Sequence, residues 1–170
     1  MDELNRKTVD DFKKSEKNKL VILLDNVRSM NNVGSIFRTA DAFLVEKILL
    51  CGITPTPPHR DIQKTALGAT ETVDWSYESD PLPVIFKYKQ DGYKIYAAEQ
   101  VEGSVMLQNV EISKNEKILL ILGNEVEGVQ EDLLKLCNMV VEIPQFGSKH
   151  SLNVAVSAGI LLWHFVSKKF

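Results

Sequence analysis

Three short stretches of this chain carry polar residues at spacings that could do chemistry. The first, NNVGSIFRTADAF, runs from Asn31 to Phe43. It reads as an amphipathic helix entered through two asparagines and a glycine, with Arg38 about one turn in. That guanidinium could pair with Asp41, three residues on, an exposed contact worth about 0.3–0.5 kcal/mol. It could instead meet a phosphate or a reacting oxygen, where its planar fork makes stronger charge-assisted bonds. The second stretch, LGNEVEGV (122–129), sets Gly123 and Asn124 beside Glu125. Glycine at a strand end lets a ligand approach the backbone, and a carboxylate ahead of a helix suits the helix dipole. The third, EIPQFGSKHSLNVAVSAG (142–159), offers Pro144 as a strand stop, Gly147 for a sharp turn and Ser151 as a helix N-cap.

Common nucleotide chemistry is excluded by what the sequence lacks. There is no G-x-G-x-x-G after the first strand, no G-x-x-x-x-G-K-[ST] loop and no G-x-S-x-G elbow. His59, His150 and His164 are scattered, and Cys51 and Cys137 sit in apolar segments without metal-ligand spacing, so no metal site is expected. The thiols read as reduced core residues of a cytoplasmic protein. At 44% hydrophobic and 25% charged residues the composition is that of an ordinary globular domain. No apolar run is long enough to span a bilayer, so no membrane partner is expected. A net charge of −3 stands against a uniformly basic nucleic-acid binder, but a local basic groove can coexist with an acidic back.

The elements that must position the three stretches follow from periodicity. LVILLD (20–25), KILLCGI (47–53), YKIYAAE (93–99), KILLILG (117–123) and MVVEIP (139–144) read as strands, the most apolar of them buried on both faces. Helices are expected at about 33–43, in the patch 82–88, at 129–137 and at 151–169. ATETVDW (69–75) is expected to give a short strand. The first half of 54–70 is an irregular connection because of Pro55, Pro57 and Pro58. Residues 1–18 read as a polar N-terminal helical segment, either a solvated face or an RNA-binding arm, ahead of one domain over 19–170. Alternating strands and helices predict an α/β fold with a mostly parallel sheet flanked by helices. In such sheets, ligands bind where strands end and helices begin, which is where all three stretches lie.

Taken together, N-N-V-G-S-I-F-R-T-A, L-G-N-E-x-x-G-V and I-P-x-x-G followed by S-L-N-V-A resemble the three motifs of the SpoU (TrmH-type) RNA methyltransferases of the SPOUT superfamily. The resemblance runs from about Leu20 to Phe165. It implies a deep trefoil knot near the C-terminus, a homodimer, and methyl transfer from S-adenosylmethionine (SAM) to a ribose 2′-hydroxyl of tRNA or rRNA, with tRNA favoured. It assigns Asn32, Arg38, Glu125 and Asn153 to catalysis, and Ala98, Gly123, Ile143, Ser151 and Leu152 to SAM. Lys64 and Gly68, in QKTALGATE, match a recurring family segment, with Lys64 a phosphate contact beside Arg38 on the RNA. A guanidinium stays protonated in proteins, so Arg38 is expected to clamp phosphate and developing alkoxide rather than to act as a base. The loop carries Gln145 where the family often has methionine. The alternative is a noncatalytic RNA-binding dimer that retains the fold.

Overall fold

The segment NKLVILLD shows how the sheet is built. Successive side chains of a strand point to opposite faces, and here both sets are buried. Leu20, Ile22 and Leu24 enter one hydrophobic cluster, while Val21 and Leu23 enter another on the far face. A continuous apolar run is the signature of a strand covered on both sides. The structure, a computed structural model, describes residues 7–149 and 151–169.

Among the described residues, the strands are β1 (Asn18–Asp25), β2 (Val45–Cys51), β3 (Trp75–Glu78), β4 (Lys94–Ala98), β5 (Val105–Met106), β6 (Ile118–Leu122) and β7 (Met139–Glu142). They form one sheet in the order β3-β2-β1-β6-β4-β7-β5, with every neighbouring pair parallel. The helices are α1 (Val9–Lys14), α2 (Met30–Ala42), α3 (Arg60–Ala66), α4 (Ala69–Thr72), α5 (Pro81–Gln90), α6 (Glu131–Leu134) and α7 (Val154–Ser167). On one face, Ile36 and Phe37 of α2 meet Leu161 and Phe165 of α7 over β1, β2 and β6. On the other, Ile85 of α5 and Leu133 of α6 cover the sheet. Because all strands run the same way, the C-terminal ends of β1, β6, β4 and β7 lie side by side on one edge.

Several expectations change. The helix expected over 1–18 is confined to Val9–Lys14 among the described residues, and residues 1–6 of that segment lie outside them. Phe12 is buried, with the Lys17 ammonium 4.0 Å from its ring centroid and bonded to its carbonyl, so the helix is anchored to the core. ATETVDW is not a strand throughout: Ala69–Thr72 is helical and β3 starts at Trp75. Gly68, at φ +90°, starts that new turn. The proline-rich connection resolves into α3 in its second half. The helix expected over 129–137 shortens to Glu131–Leu134, and β5 had no apolar run long enough to announce it.

Cys51 is fully buried, and burial pushes its thiol up to about 12; Cys137 is partly buried and raised, for the same reason, to about 11. Both are free thiols. No described helix is long and apolar enough to cross a membrane.

Candidate functional site

The first motif begins a turn earlier than its periodicity implies. Ser29 caps α2, its hydroxyl accepting the Asn32 N–H at 3.3 Å, so the two asparagines are already helical. Starting the helix at Met30 places Arg38 two turns in rather than one. Gly34 is required by packing, since a Cβ there would lie 2.1 Å from Thr65 Oγ1 and 2.3 Å from the Ile62 carbonyl of α3. The Thr65 hydroxyl donates to the Asn31 carbonyl at 3.0 Å, fixing α3 against the first turn of α2.

The three motifs meet in one hydrogen-bond relay. Glu125 Oε2 accepts the Arg28 N–H at 3.0 Å, and Oε1 accepts the Ser29 N–H at 3.1 Å and the Asn32 amide at 3.2 Å. Asn153 Nδ2 in turn donates to Asn32 Oδ1 at 3.0 Å. Asn153 Oδ1 accepts the N–H groups of Ala155 and Val156, capping α7. Partial burial works against the Glu125 charge. The Arg28 and Ser29 backbone donors, its own N–H and the Asn32 amide outweigh that cost, and its pKa falls below the ordinary carboxylate value. Asn32, Glu125 and Asn153 are therefore brought together, with all side-chain orientations fixed by partners.

Beside the relay opens a cavity of about 480 Å³ at the ends of β4, β6 and β7. Ala98, Gly123, Ile143, Ser151 and Leu152, the residues singled out for SAM, all line it, together with Glu125 and Asn153. Arg38 and Lys64 do not. They share a second, open depression between α2 and α3 with Ser35 and Thr65. Six residues along a helix move Arg38 roughly 9 Å from Asn32 and about 120° around the axis. The Asp41 pairing is not formed either: Asp41 accepts the Thr72 hydroxyl at 2.5 Å. Arg38 is exposed and makes no side-chain hydrogen bond or ion pair with the described residues.

Of three local readings, the Ser151 cap needs correction, and the two glycines differ in what demands them. Gly123 lines the cavity, and its missing Cβ is demanded by the chain itself: a Cβ would lie 2.3 Å from Gly128 C and Val129 N. The glycine closes a turn in which Asn124 and Gly128 exchange backbone hydrogen bonds at 3.0 Å. Ser151 does not cap the last helix. It lies exposed in the loop, and Asn153 caps instead. The chain bends at Gly147 as expected, but the residue has neither a positive φ nor a neighbour within 4 Å of a Cβ, so no steric constraint demands glycine there.

The sequence reading missed the polar floor of the site. Asp25, fully buried at the end of β1, accepts the Gln130 N–H at 2.9 Å, its side-chain amide at 2.5 Å and the Asn26 amide at 2.8 Å. Asn124 donates to the Asn26 carbonyl at 2.7 Å, joining the first and second motif loops from below. A carboxylate closing an otherwise apolar buried run was the available signal. Glu99 and Glu142, also in the cavity wall, were not singled out. No group of three or more histidine, cysteine, aspartate or glutamate side chains among the described residues is arranged to hold a metal ion.

Known proteins are similar to this chain in sequence and in fold. An "Uncharacterized tRNA/rRNA methyltransferase" of Borreliella burgdorferi is 32% identical over 152 residues, covering 89% of this chain and 65% of its own. The 23S rRNA (guanosine-2′-O-)-methyltransferase RlmB of Coxiella burnetii is 30% identical over 157 residues, 89% of this chain and 60% of its own. This chain thus spans about three fifths of the length of these two relatives. Among solved structures, the A. aeolicus TrmH/SpoU tRNA modifying enzyme superposes with a TM-score of 0.82 at 25% identity, covering 93% of this chain and 78% of that one. The AdoMet-bound rRNA methyltransferase from Sinorhizobium meliloti gives 0.80 at 28% identity, over 88% and 56% of the two chains. The sequence pattern of the SpoU rRNA Methylase family matches residues 19–163, a span that holds all three motif loops and every strand except the first residue of β1. The chain belongs to that family.

Proposed function

We propose that this chain is a SAM-dependent RNA methyltransferase that modifies a ribose 2′-hydroxyl of tRNA or rRNA, with tRNA the favoured class. One observation carries the reading: the Glu125–Asn32–Asn153 relay joins all three motifs at the mouth of a cavity of about 480 Å³. That volume lies within the range of small-molecule sites. Ala98, Gly123, Ile143, Ser151 and Leu152 would hold the cofactor, which when bound supplies an activated methyl on a sulfonium. The family membership and the names of the relatives support the same chemistry.

The protein's own contribution is positional and electrostatic. Glu125, held as an anion by backbone donors, fixes Asn32 and through it Asn153, so that amide groups face the reacting ribose in one orientation. Arg38 clamps the adjacent phosphate and stabilises the alkoxide as the hydroxyl proton leaves to solvent. Lys64 shares the Arg38 depression and adds a second phosphate contact.

We further infer a homodimer. The exposed face of α7 carries Val156, Ile160 and Trp163 at helical spacing, with Leu152 exposed in the loop just ahead of it and Trp163 58% exposed. On the opposite side of the helix Ala158 is buried; a Cβ on Gly159 would lie 4.0 Å from Thr39 of α2. A partner on this stripe would lie beside α2 and Arg38. β7 lies between β4 and β5, two strands laid down before it, an order compatible with the family's C-terminal knot.

The test is methyl transfer from labelled SAM into separated tRNA and rRNA fractions lacking native modifications, followed by nuclease mapping. Label recovered as a 2′-O-methylated nucleotide in the tRNA fraction is the expected result. Label in rRNA alone overturns the substrate preference. SAM binding with no incorporation favours the noncatalytic RNA-binding dimer.

A further inference from the structure

The cavity that faces the relay has an unusual charge balance. Glu99, Glu125 and Glu142 line it, and none of the described lining residues is a lysine, arginine or histidine. Each of the three carboxylates is held by neutral donors. Glu99 Oε2 accepts the Val129 N–H at 3.0 Å and Oε1 accepts the Gln100 N–H at 2.9 Å. Glu142 Oε1 accepts the Gln100 side-chain amide at 3.1 Å, and Oε2 the Ser104 hydroxyl at 2.7 Å. Glu125 accepts only amide N–H groups. The ion pairs among the described residues involve Glu46, Glu116, Glu131 and Asp132, and leave these three out. Neutral donors fix a carboxylate in place without cancelling its charge.

A cavity walled by fixed anions distinguishes ligands by charge. S-adenosylmethionine carries a sulfonium and an ammonium against one carboxylate, so its net charge is positive. When the methyl passes to the ribose oxygen, the carbon–sulfur bond breaks and its electron pair stays on sulfur. The hydroxyl proton leaves, and the by-product S-adenosylhomocysteine has no net charge. We propose that Glu99 and Glu142, with Glu125, make this pocket selective for the cationic cofactor over its spent form, so that the reaction itself weakens the hold on the by-product. This rests on the cofactor reading above and deepens it.

Glu99 and Glu142 are well placed to be separated from catalysis, since neither joins the Asn32 relay. Glu99 is wedged under the second motif loop: a Cβ on Gly128, which has φ +72°, would lie 2.1 Å from Glu99 Oε2. Replacing it carries a risk of shifting that turn. Glu142 has no such constraint, and Glu142→Gln keeps an acceptor for Ser104.

The test is calorimetric titration of the full chain with SAM, with S-adenosylhomocysteine and with sinefungin, which carries an amine near the sulfonium position. At low ionic strength the wild type is expected to bind SAM and sinefungin about 10-fold more tightly than S-adenosylhomocysteine. Salt should erode that ratio. Glu142→Gln and Glu99→Gln should each reduce it about 3-fold, chiefly through weaker SAM binding, with the by-product's Kd within about 2-fold of wild type. A purely structural role would weaken all three ligands alike. Equal affinities, or tighter binding of the by-product by the wild type, overturn the inference while leaving the cofactor reading intact. A ratio unchanged in both variants overturns the assignment to these carboxylates. Failure of every ligand to bind sinks the cofactor reading and the inference with it.

Discussion

The cavity at the strand ends and the depression between α2 and α3 are built on opposite principles. In the first, nearly every polar group is satisfied within the chain. Glu125 takes three donors from outside its own loop, Asn153 caps α7 while reaching Asn32, and Asp25 anchors the floor from full burial. In the second, Arg38 and Lys64 are exposed cations. A site prepared for a small ligand fixes its groups in advance, because each rotor frozen beforehand is not frozen at binding. A surface that meets a polyanion needs charge density more than rigidity, since counterion release supplies much of the affinity. The difference teaches that the two halves of the proposed reaction are separable, with the cofactor held by a finished pocket and the RNA by free charges.

The largest expected effect breaks the comparison at its cationic side. Arg38→Ala should lower methyl transfer by about 100-fold or more, the scale of losing a donor to a developing oxyanion. SAM affinity, measured by calorimetry, should stay within about 2-fold of wild type because Arg38 is outside the cavity. Arg38→Lys should recover little, and activity near wild type would refute the need for a bidentate fork.

Glu125→Gln attacks the prepared side. Transfer should fall about 10- to 100-fold through kcat, with RNA affinity nearly unchanged. The carboxyl's lowered pKa also gives a signed pH effect. A carboxyl whose folded pKa lies below its unfolded value contributes stability above the unfolded pKa and loses it as pH falls through the folded one. Acid unfolding of the wild type should therefore show a component, below the ordinary carboxylate range, that is absent from Glu125→Gln.

Gly34→Ala sharpens the comparison by moving one region only. Its Cβ meets α3 backbone at 2.3 Å, so α3 and Lys64 must shift, at about 1–3 kcal/mol of stability. Tm should fall by several degrees, and RNA binding in filter assays should weaken more than SAM binding. The smallest effect belongs to Lys64→Ala. RNA affinity should drop about 2- to 5-fold, with the slope of log K against log salt reduced by about one phosphate contact.

The parallel sheet was legible because burial on both faces leaves an unambiguous mark: Leu20–Leu24 and Ile118–Leu122 have no polar residue to place on a solvent side. The motif loops stood out because glycines, asparagines and a glutamate sit together where strands end. Helix starts were less so. Ser29 and Asn153, rather than the residues nearest the apolar periodicity, cap α2 and α7, because cap choice depends on which side chain the surrounding loops leave free to turn back. β5 has two residues, too few for any pattern to reveal. Deleting residues 1–17 would not isolate an RNA-binding arm, because Phe12 belongs to the core.

By itself the sequence determined the layer architecture, the three motif stretches and the residue types available at each. Those follow from local periodicity and from what each side chain can donate or accept. Only the tertiary structure decided which of them meet. It joined Asn32 to Glu125 and Asn153 across 93 and 121 positions of chain, and it filled the space at Gly123 with the chain's own turn. It also set Arg38 apart from the pocket and gave Asp41 to Thr72. The physical reason is that hydrogen-bond partners and close approaches are fixed by how elements pack, and packing joins residues that sequence spacing leaves unrelated.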